Sequence, residues 1–508
     1  METIRPALLA LAVLGAAAAV SAGPAAGQEV TYDLSGTPAP PDQGPAQAGD
    51  TDTITVRLHG KLQLFLGGYA QSDANTAYFQ DGATGYALPT PFAVSPSGVV
   101  EPVTAAGPGA RLAQPGRVSL PGLRVADLGR IYPGFDGVTA GGLQYGATVD
   151  LGIVNVGQGD GGLYGQALAP GRVSDRPQVR RAWAYVGLDG WGNLRVGATE
   201  GPSDLFMTGN FERFNSGGWN GAVPYSFSRQ WNTIWPFPDV EAEYTTPKLV
   251  YVSPRRAGFD VAVSFEPSGA SIMGDARSGC ASAPLSYGGR TVGAVTQAGS
   301  GCDFAASGGL LPSGVLAERR DTVEAALRYR GQVGEVGLAA YVDYTGSAGV
   351  HTSGTPAPVR QAYEGLNVGY AGAQLYYAGL TVGGMVMGGT INNTAASMGL
   401  QPGGTGPQTA FLLGASYAIG PATIGASYFS TWQAGYQTAA TATTVGTYNA
   451  QGVAAGGTWS VTPYLSLYLE YLWGQQKQNG YNLDLLSAGG AHNKIDLQYV
   501  GVGTGLSW

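Results

Sequence analysis

Charge is what this 508-residue chain has least of. Asp, Glu, Lys and Arg make up 12% of it, about half of the roughly 25% usual in soluble proteins. That speaks against an ordinary soluble globule. Histidine occurs three times, at His59, His351 and His492, and no Gly-x-Ser-x-Gly motif accompanies it. A hydrolytic centre is therefore not expected. There is no phosphate loop, no Cys-x-x-Cys-His and no basic patch, so no cofactor and no nucleic-acid partner is expected either. Long apolar runs are missing too. Beyond the N-terminus none reaches the length of about eighteen residues that a spanning helix needs. The two cysteines, Cys280 and Cys302, show no zinc spacing. In an exported chain such a pair in one Gly/Ser-rich stretch is expected to form a disulfide, with two free thiols as the alternative.

What the chain has in quantity is glycine (83 residues) and aromatics, with 28 Tyr and 9 Trp. Its mean hydropathy is close to zero, at +0.01. This balance suits strands with one apolar and one wetted face. The first residues read as a secretory signal peptide: Arg5, an apolar core from Ala7 to Val20, and Val20-Ser-Ala22 as cleavage site, with a second site after residue 27. Residues 23–52 are rich in Pro, Gly and Ala and read as a flexible leader. The domain expected to fold is 53–508.

From Thr53 the pattern is a two-residue alternation. Ile54, Val56, Leu58, Leu62, Leu64 and Leu66 share one face, and Thr55, Arg57, His59, Lys61 and Gln63 the other. Only a strand sorts residues this way. Leu143 to Ile153 and Leu465 to Trp473 repeat the pattern, with Asp150 and Glu470 on their polar faces. These strands exceed the usual five or six residues, and ten residues tilted near 45° span about 25 Å, the height of an outer-membrane apolar band.

The connections carry the argument further. Short turns near 136–142, 189–192, 254–257, 331–334, 377–379, 419–421 and 461–463 alternate with long connections near 67–122, 155–176, 201–245, 267–318, 347–360, 391–407, 434–447 and 478–493. Seven short and eight long connections imply sixteen antiparallel strands. In hydrocarbon every backbone N–H and C=O needs a partner, and among sheets only a closed one leaves no edge. The expected fold is thus all-β, a 16-stranded transmembrane β-barrel with short periplasmic turns and long extracellular loops.

Particular stretches narrow this. "QVRRAWAYVGLDGWGNLRVGATEG" (178–201), "PKLVYVSPRRAGFDVAVSF" (247–265), "YEGLNVGYAGAQLYYAGLTVGG" (363–384) and "LLGASYAIGPATIGASY" (412–428) resemble successive hairpins of alphaproteobacterial general porins. The closing "LQYVGVGTGLSW" resembles the terminal signature that barrel-assembly machinery reads, with Trp508 where most barrels carry Phe. The resemblance implies a homotrimer in outer-membrane lipid, with a third loop folded into the pore. It also implies a passive channel for ions and small hydrophilic solutes. A substrate-selective channel for a sugar or an anion is the alternative, and an enzyme is not expected.

On that reading 201–245 is the candidate constriction, offering Glu200, Asp204, Glu212, Asp239, Glu241 and Glu243, with Arg213 and Arg229 in the opposite sense. Its aromatics, from Phe206 to Trp235, suit a loop packed on a wall rather than a solvated outer loop. By face, Arg57, Lys61, Arg130, Arg180 and Arg195 form an inward basic row, with Trp183 and Tyr185 left for lipid. A basic row across from an acidic loop would set a transverse field. The formal charge of −8 does not fix ion preference, because acidic outer loops and a basic row pull in opposite directions.

Overall fold

In a computed structural model the alternation closes into one sheet. The structure describes residues 52–72, 122–155, 178–209, 246–268, 320–348, 366–391, 406–434, 447–482 and 493–508, with short pieces of the long connections. Sixteen strands form the closed barrel, each antiparallel to its neighbours. They are β1 (Thr53–Gln71), β2 (Leu123–Val138), β3 (Leu143–Asn155), β4 (Gln178–Leu188), β5 (Gly192–Thr199) and β6 (Thr246–Val252). Then follow β7 (Phe259–Ser268), β8 (Arg320–Val333), β9 (Val336–Gly346), β10 (Asn367–Tyr377) and β11 (Leu380–Ile391). β12 (Gly406–Ile419), β13 (Ala422–Ala434), β14 (Thr447–Thr462), β15 (Leu465–Gln478) and β16 (Lys494–Ser507) complete the wall. Short strands within the long connections, such as Thr76–Gln80 with Pro115–Ser119, pair outside this sheet.

Closure falls between β1 and β16, from Lys61 opposite Ser507 to Gln71 opposite Leu497. The last residue takes part: Gly60 and Trp508 exchange two backbone hydrogen bonds, each 3.1 Å. The Trp508 indole lies over Gly60 on the outer surface, in space that any Cβ at position 60 would occupy. The backbone groups of Trp508 are thus part of the seam.

The outer surface is apolar along the strands. Val56, Leu64 and Leu66 on β1, Val261, Val263 and Phe265 on β7, and Leu467 and Leu469 on β15 are all exposed. On β7 the alternation is strict, with Asp260, Ala262, Ser264 and Glu266 buried between them. Trp191, Tyr377, Tyr417, Trp459, Tyr464 and Trp508 ring the short-turn end, and Tyr344, Tyr428 and Trp432 stand near the other. Two such girdles bound the apolar band of a membrane barrel. Among the described residues no helix is long and apolar enough to cross a membrane, which says nothing of a strand-built one.

Inside, glycine makes room for rings. The Tyr499 ring lies over Gly67 and Gly501, Phe65 over Gly503, and Tyr468 over Gly505. This accounts for the glycine-rich final strand: aromatic rings, from a neighbouring strand at Gly503 and Gly505 and from Tyr499 of the same strand at Gly501, fill the space of the missing side chains.

Candidate functional site

The described residues of the connection after β5 stay inside the barrel. Residues 201–209 and the described residues of 214–237 lie against inward-facing side chains, forming a strap across the bore. Its anchor is Glu200, which is ion-paired with Arg181 of β4 and accepts a 2.9 Å hydrogen bond from Thr199 Oγ1. Next comes a single helical turn, α1 (Pro202–Leu205), with proline at its start. Ser203 donates through both N–H and Oγ to Glu324 of β8, at 3.4 Å each.

Beyond α1 the strap follows the wall. Arg328 of β8 donates Nη1–H to the Leu205 carbonyl at 3.1 Å and lays its guanidinium over the Phe206 ring, 4.1 Å from the centroid. The Thr208 carbonyl lies where a side chain on Gly372 of β10 would be, and Gly209 N–H donates to Gln374 Oε1 at 3.0 Å. Gly209 has φ +91° and no space for a Cβ against the Gly384 carbonyl. Phe214 fills the notch at Gly425 of β13, and its carbonyl accepts from Thr458 Oγ1 of β14 at 3.0 Å. Trp219 sits beside Gly452, edge-on to Phe429 at 6.2 Å, and donates Nε1–H to the Val453 carbonyl at 3.1 Å. The strap thus runs from β8 to β14, and wall glycines form its groove.

Apolar burial holds it there. Met385, Leu412, Phe429, Ala454 and Leu472 point inward, where a water-filled tube has no use for them. They pack in one cluster with Phe206, Met207, Phe214, Trp219, Val223 and Phe237 of the strap. Each fully buried Leu, Met or Phe contributes about 1.5–3 kcal/mol.

The opposite wall is charged. Arg181 Nε donates to Asp150 Oδ2 at 3.0 Å, and Arg130 stands 3.7 Å from the same carboxylate. Arg57 pairs with Asp136 at 2.6 Å, and Tyr185 Oη donates to that carboxylate, also at 2.6 Å. Arg195 lies over the Trp183 ring, 4.6 Å from its centroid. Lys248 and Glu266 stand 3.8 Å apart, both buried. On β8 and β9 three buried carboxylates gather under the strap, Glu324 and Asp343 from the wall and Asp204 from α1. Inward residues of the short-turn third, Arg57, Asp136, Tyr185, Arg195 and Arg330 among them, are reached by solvent, while those at strap height are buried. An open vestibule below a strap at mid-height is the result.

A profile of Gram-negative porins matches residues 10–493. The chain belongs to the Gram-negative porin family. None of the curated proteins matches it. Among solved structures it is similar to in-vitro folded OmpT of Vibrio cholerae in a trimer form, at 11% identity over 90% of this chain and 100% of that one, with TM-score 0.44. It is also similar to an anion-selective porin from Comamonas acidovorans (12%, 90% and 100%, 0.43) and to a mutant of the Rh. blastica porin (12%, 89% and 100%, 0.39). This porin is a multi-pass barrel of the outer membrane and forms a channel for small solutes.

Several expectations meet the porin's geometry differently. Arg57, Lys61, Arg130 and Arg195 do face inward. The row is not bare, however, because Asp136, Asp150 and Glu200 stand among its guanidiniums. Glu200 is thus a wall partner rather than part of an opposing acidic rim. The face assignment of β4 is reversed. Trp183 and Tyr185, expected to face lipid, point into the bore, while Ala184 and Val186 point outward. The cause is a bulge: Asp150 pairs with Arg181 and Leu151 with Val179, so Arg180 is an extra residue that shifts the parity. Arg181, not singled out from the sequence, is the buried inward arginine; the side chain of Arg180 lies outside the described residues. So do Glu212, Asp239, Glu241, Glu243, Cys280 and Cys302.

Asp260 and Arg328 were also missed. Their signal was available: both sit on polar faces of strictly alternating strands, and their registers place them directly opposite each other.

Proposed function

We propose that the strap 201–237 is the constriction of a passive diffusion channel, and that the porin selects solutes by size and polarity there. The supporting observation is the strap's docking on inward side chains from β8 to β14. A solute passes from the vestibule, where Arg57 and Arg195 are reached by solvent, to the strap, with the buried pairs of Arg130 and Arg181 in the wall beside it. Paired charges along that path give a local field without a large net charge, which favours hydrated polar solutes over apolar ones.

We further infer that the porin is a homotrimer and that it catalyses nothing. Its signal peptide is residues 1–22, with removal after 27 as the alternative, and 23–52 is a leader ahead of the barrel. Cys280 and Cys302 form a disulfide. Trp508 is the signal read by the assembly machinery, a role that suits a terminal residue exposed on the lipid side of the seam.

Liposome swelling tests the channel reading. Vesicles carrying the purified porin are expected to swell in isosmotic pentose or hexose and to resist swelling in larger oligosaccharides. Equal rates for all sugars would remove the size-selecting strap, and no swelling at all would remove the channel.

A further inference from the structure

One place in the vestibule wall carries more positive charge than its partners neutralise. Arg328 and Arg330 stand two residues apart on β8, so both point inward. They share one carboxylate, Asp260 of β7. Arg328 binds it through Nε at 3.1 Å and Nη2 at 2.6 Å, and Arg330 through Nη2 at 3.1 Å. The turn from β6 to β7 adds a third guanidinium. Arg330 N–H donates to the Gly258 carbonyl of that turn at 2.8 Å, and exposed Arg255, three residues earlier, acts on Arg330 electrostatically. Arg256 is directed elsewhere, donating to the Gly190 carbonyl at 2.8 Å. Glu335, in the turn below, is exposed and forms no ion pair with them among the described residues. Two guanidiniums thus share one carboxylate, and Arg255 adds a third positive charge that acts on Arg330.

The three do not do the same work. Arg328 is committed to Asp260, the Leu205 carbonyl and the Phe206 face. Arg330 is a third exposed, and its Nε has no hydrogen-bond partner. Like charges held together in this way favour an anion between them. A guanidinium fork matches the paired oxygens of a tetrahedral oxyanion, and a surplus of two charges matches a doubly charged one.

We propose that Arg330 and Arg255, backed by Arg328, form an oxyanion site on the periplasmic side of the strap, which takes phosphate-type dianions. The site lies on the solute path, so it refines the channel reading, though binding itself does not depend on conduction.

Inorganic phosphate and pyrophosphate are the probes. With the full-length porin inserted in one orientation, and at matched ionic strength, pyrophosphate added on the short-turn side is expected to lower the ion current saturably. Addition on the loop side should require more. Arg330→Gln should weaken this block about tenfold, the loss expected for one charge-assisted hydrogen bond. Arg255→Gln, in an exposed turn where folding is not at stake, should weaken it as well. Arg330→Lys should restore part of it. Block that is absent, or unchanged in both glutamine variants, overturns the site while leaving the channel standing. Calorimetric titration of the detergent-folded porin with phosphate covers the opposite case. Should no current flow at all, heat of binding lost in Arg330→Gln still supports the site, and no heat from the wild type overturns it.

Discussion

A glycine on the bore side of this barrel is a binding surface. Gly372, Gly425 and Gly452 lie where Thr208, Phe214 and Trp219 press on the wall, and a Cβ at any of them would enter the strap. Gly425→Leu puts a branched side chain into the Phe214 notch. Overpacking of this kind costs about 1–3 kcal/mol and is relieved most readily by lifting the strap. Trypsin reads the result, since Arg213 directly precedes Phe214 in the sequence. The variant is expected to be nicked there at least about tenfold faster than wild type, following the weakened docking. Equal protection would mean that the groove contributes nothing. The same scale explains what was hard to read beforehand. A basic residue on a polar face is visible in sequence, but its partner is not, because Asp136 and Asp150 reach Arg57 and Arg181 only through strand pairing.

Strands were legible because lipid enforces their alternation. A register slip of one residue would turn Arg57 and Lys61 outward, at about 2–4 kcal/mol each near midplane. This is why β1, β3 and β15 read correctly. β4 did not, since its bulge breaks the two-residue period and its outward face carries small Ala184 against inward Trp183 and Tyr185. The strap's docking wall left a subtler trace. At Phe411-Leu412-Leu413, Tyr428-Phe429 and Leu472-Trp473 the alternation gives way to apolar residues on both faces, and each inward member is buried under or beside the strap. Element-level energetics can be tested at Leu469, exposed on the outer face of β15. Leu469→Arg is expected to lower unfolding free energy in lipid by about 2–4 kcal/mol. Ser466→Arg, on the inward face, should cost far less. Equal losses in denaturant titrations of the two would contradict the assigned faces.

For the whole molecule, two halves of the bore divide the work. β8 to β14 hold the strap, by hydrogen bonds at β8 and apolar packing beyond it, while Arg57, Asp136 and Arg195 of β1, β2 and β5 are reached by solvent across from it. Closure between β1 and β16 makes the wall continuous, so the strap has a rigid frame to cross. Buried ion pairs such as Arg181 with Asp150 and Glu200 are weak stabilisers in themselves, and breaking one costs about 3–5 kcal/mol. They set where the charged half stands. Single-channel recording in planar bilayers measures this arrangement most directly, comparing wild type with a chain in which a short Gly/Ser linker replaces residues 206–223. Discrete steps for the wild type and clearly larger ones for the strapless chain are the predicted result. Steps of the same size in both chains would contradict a strap across the bore.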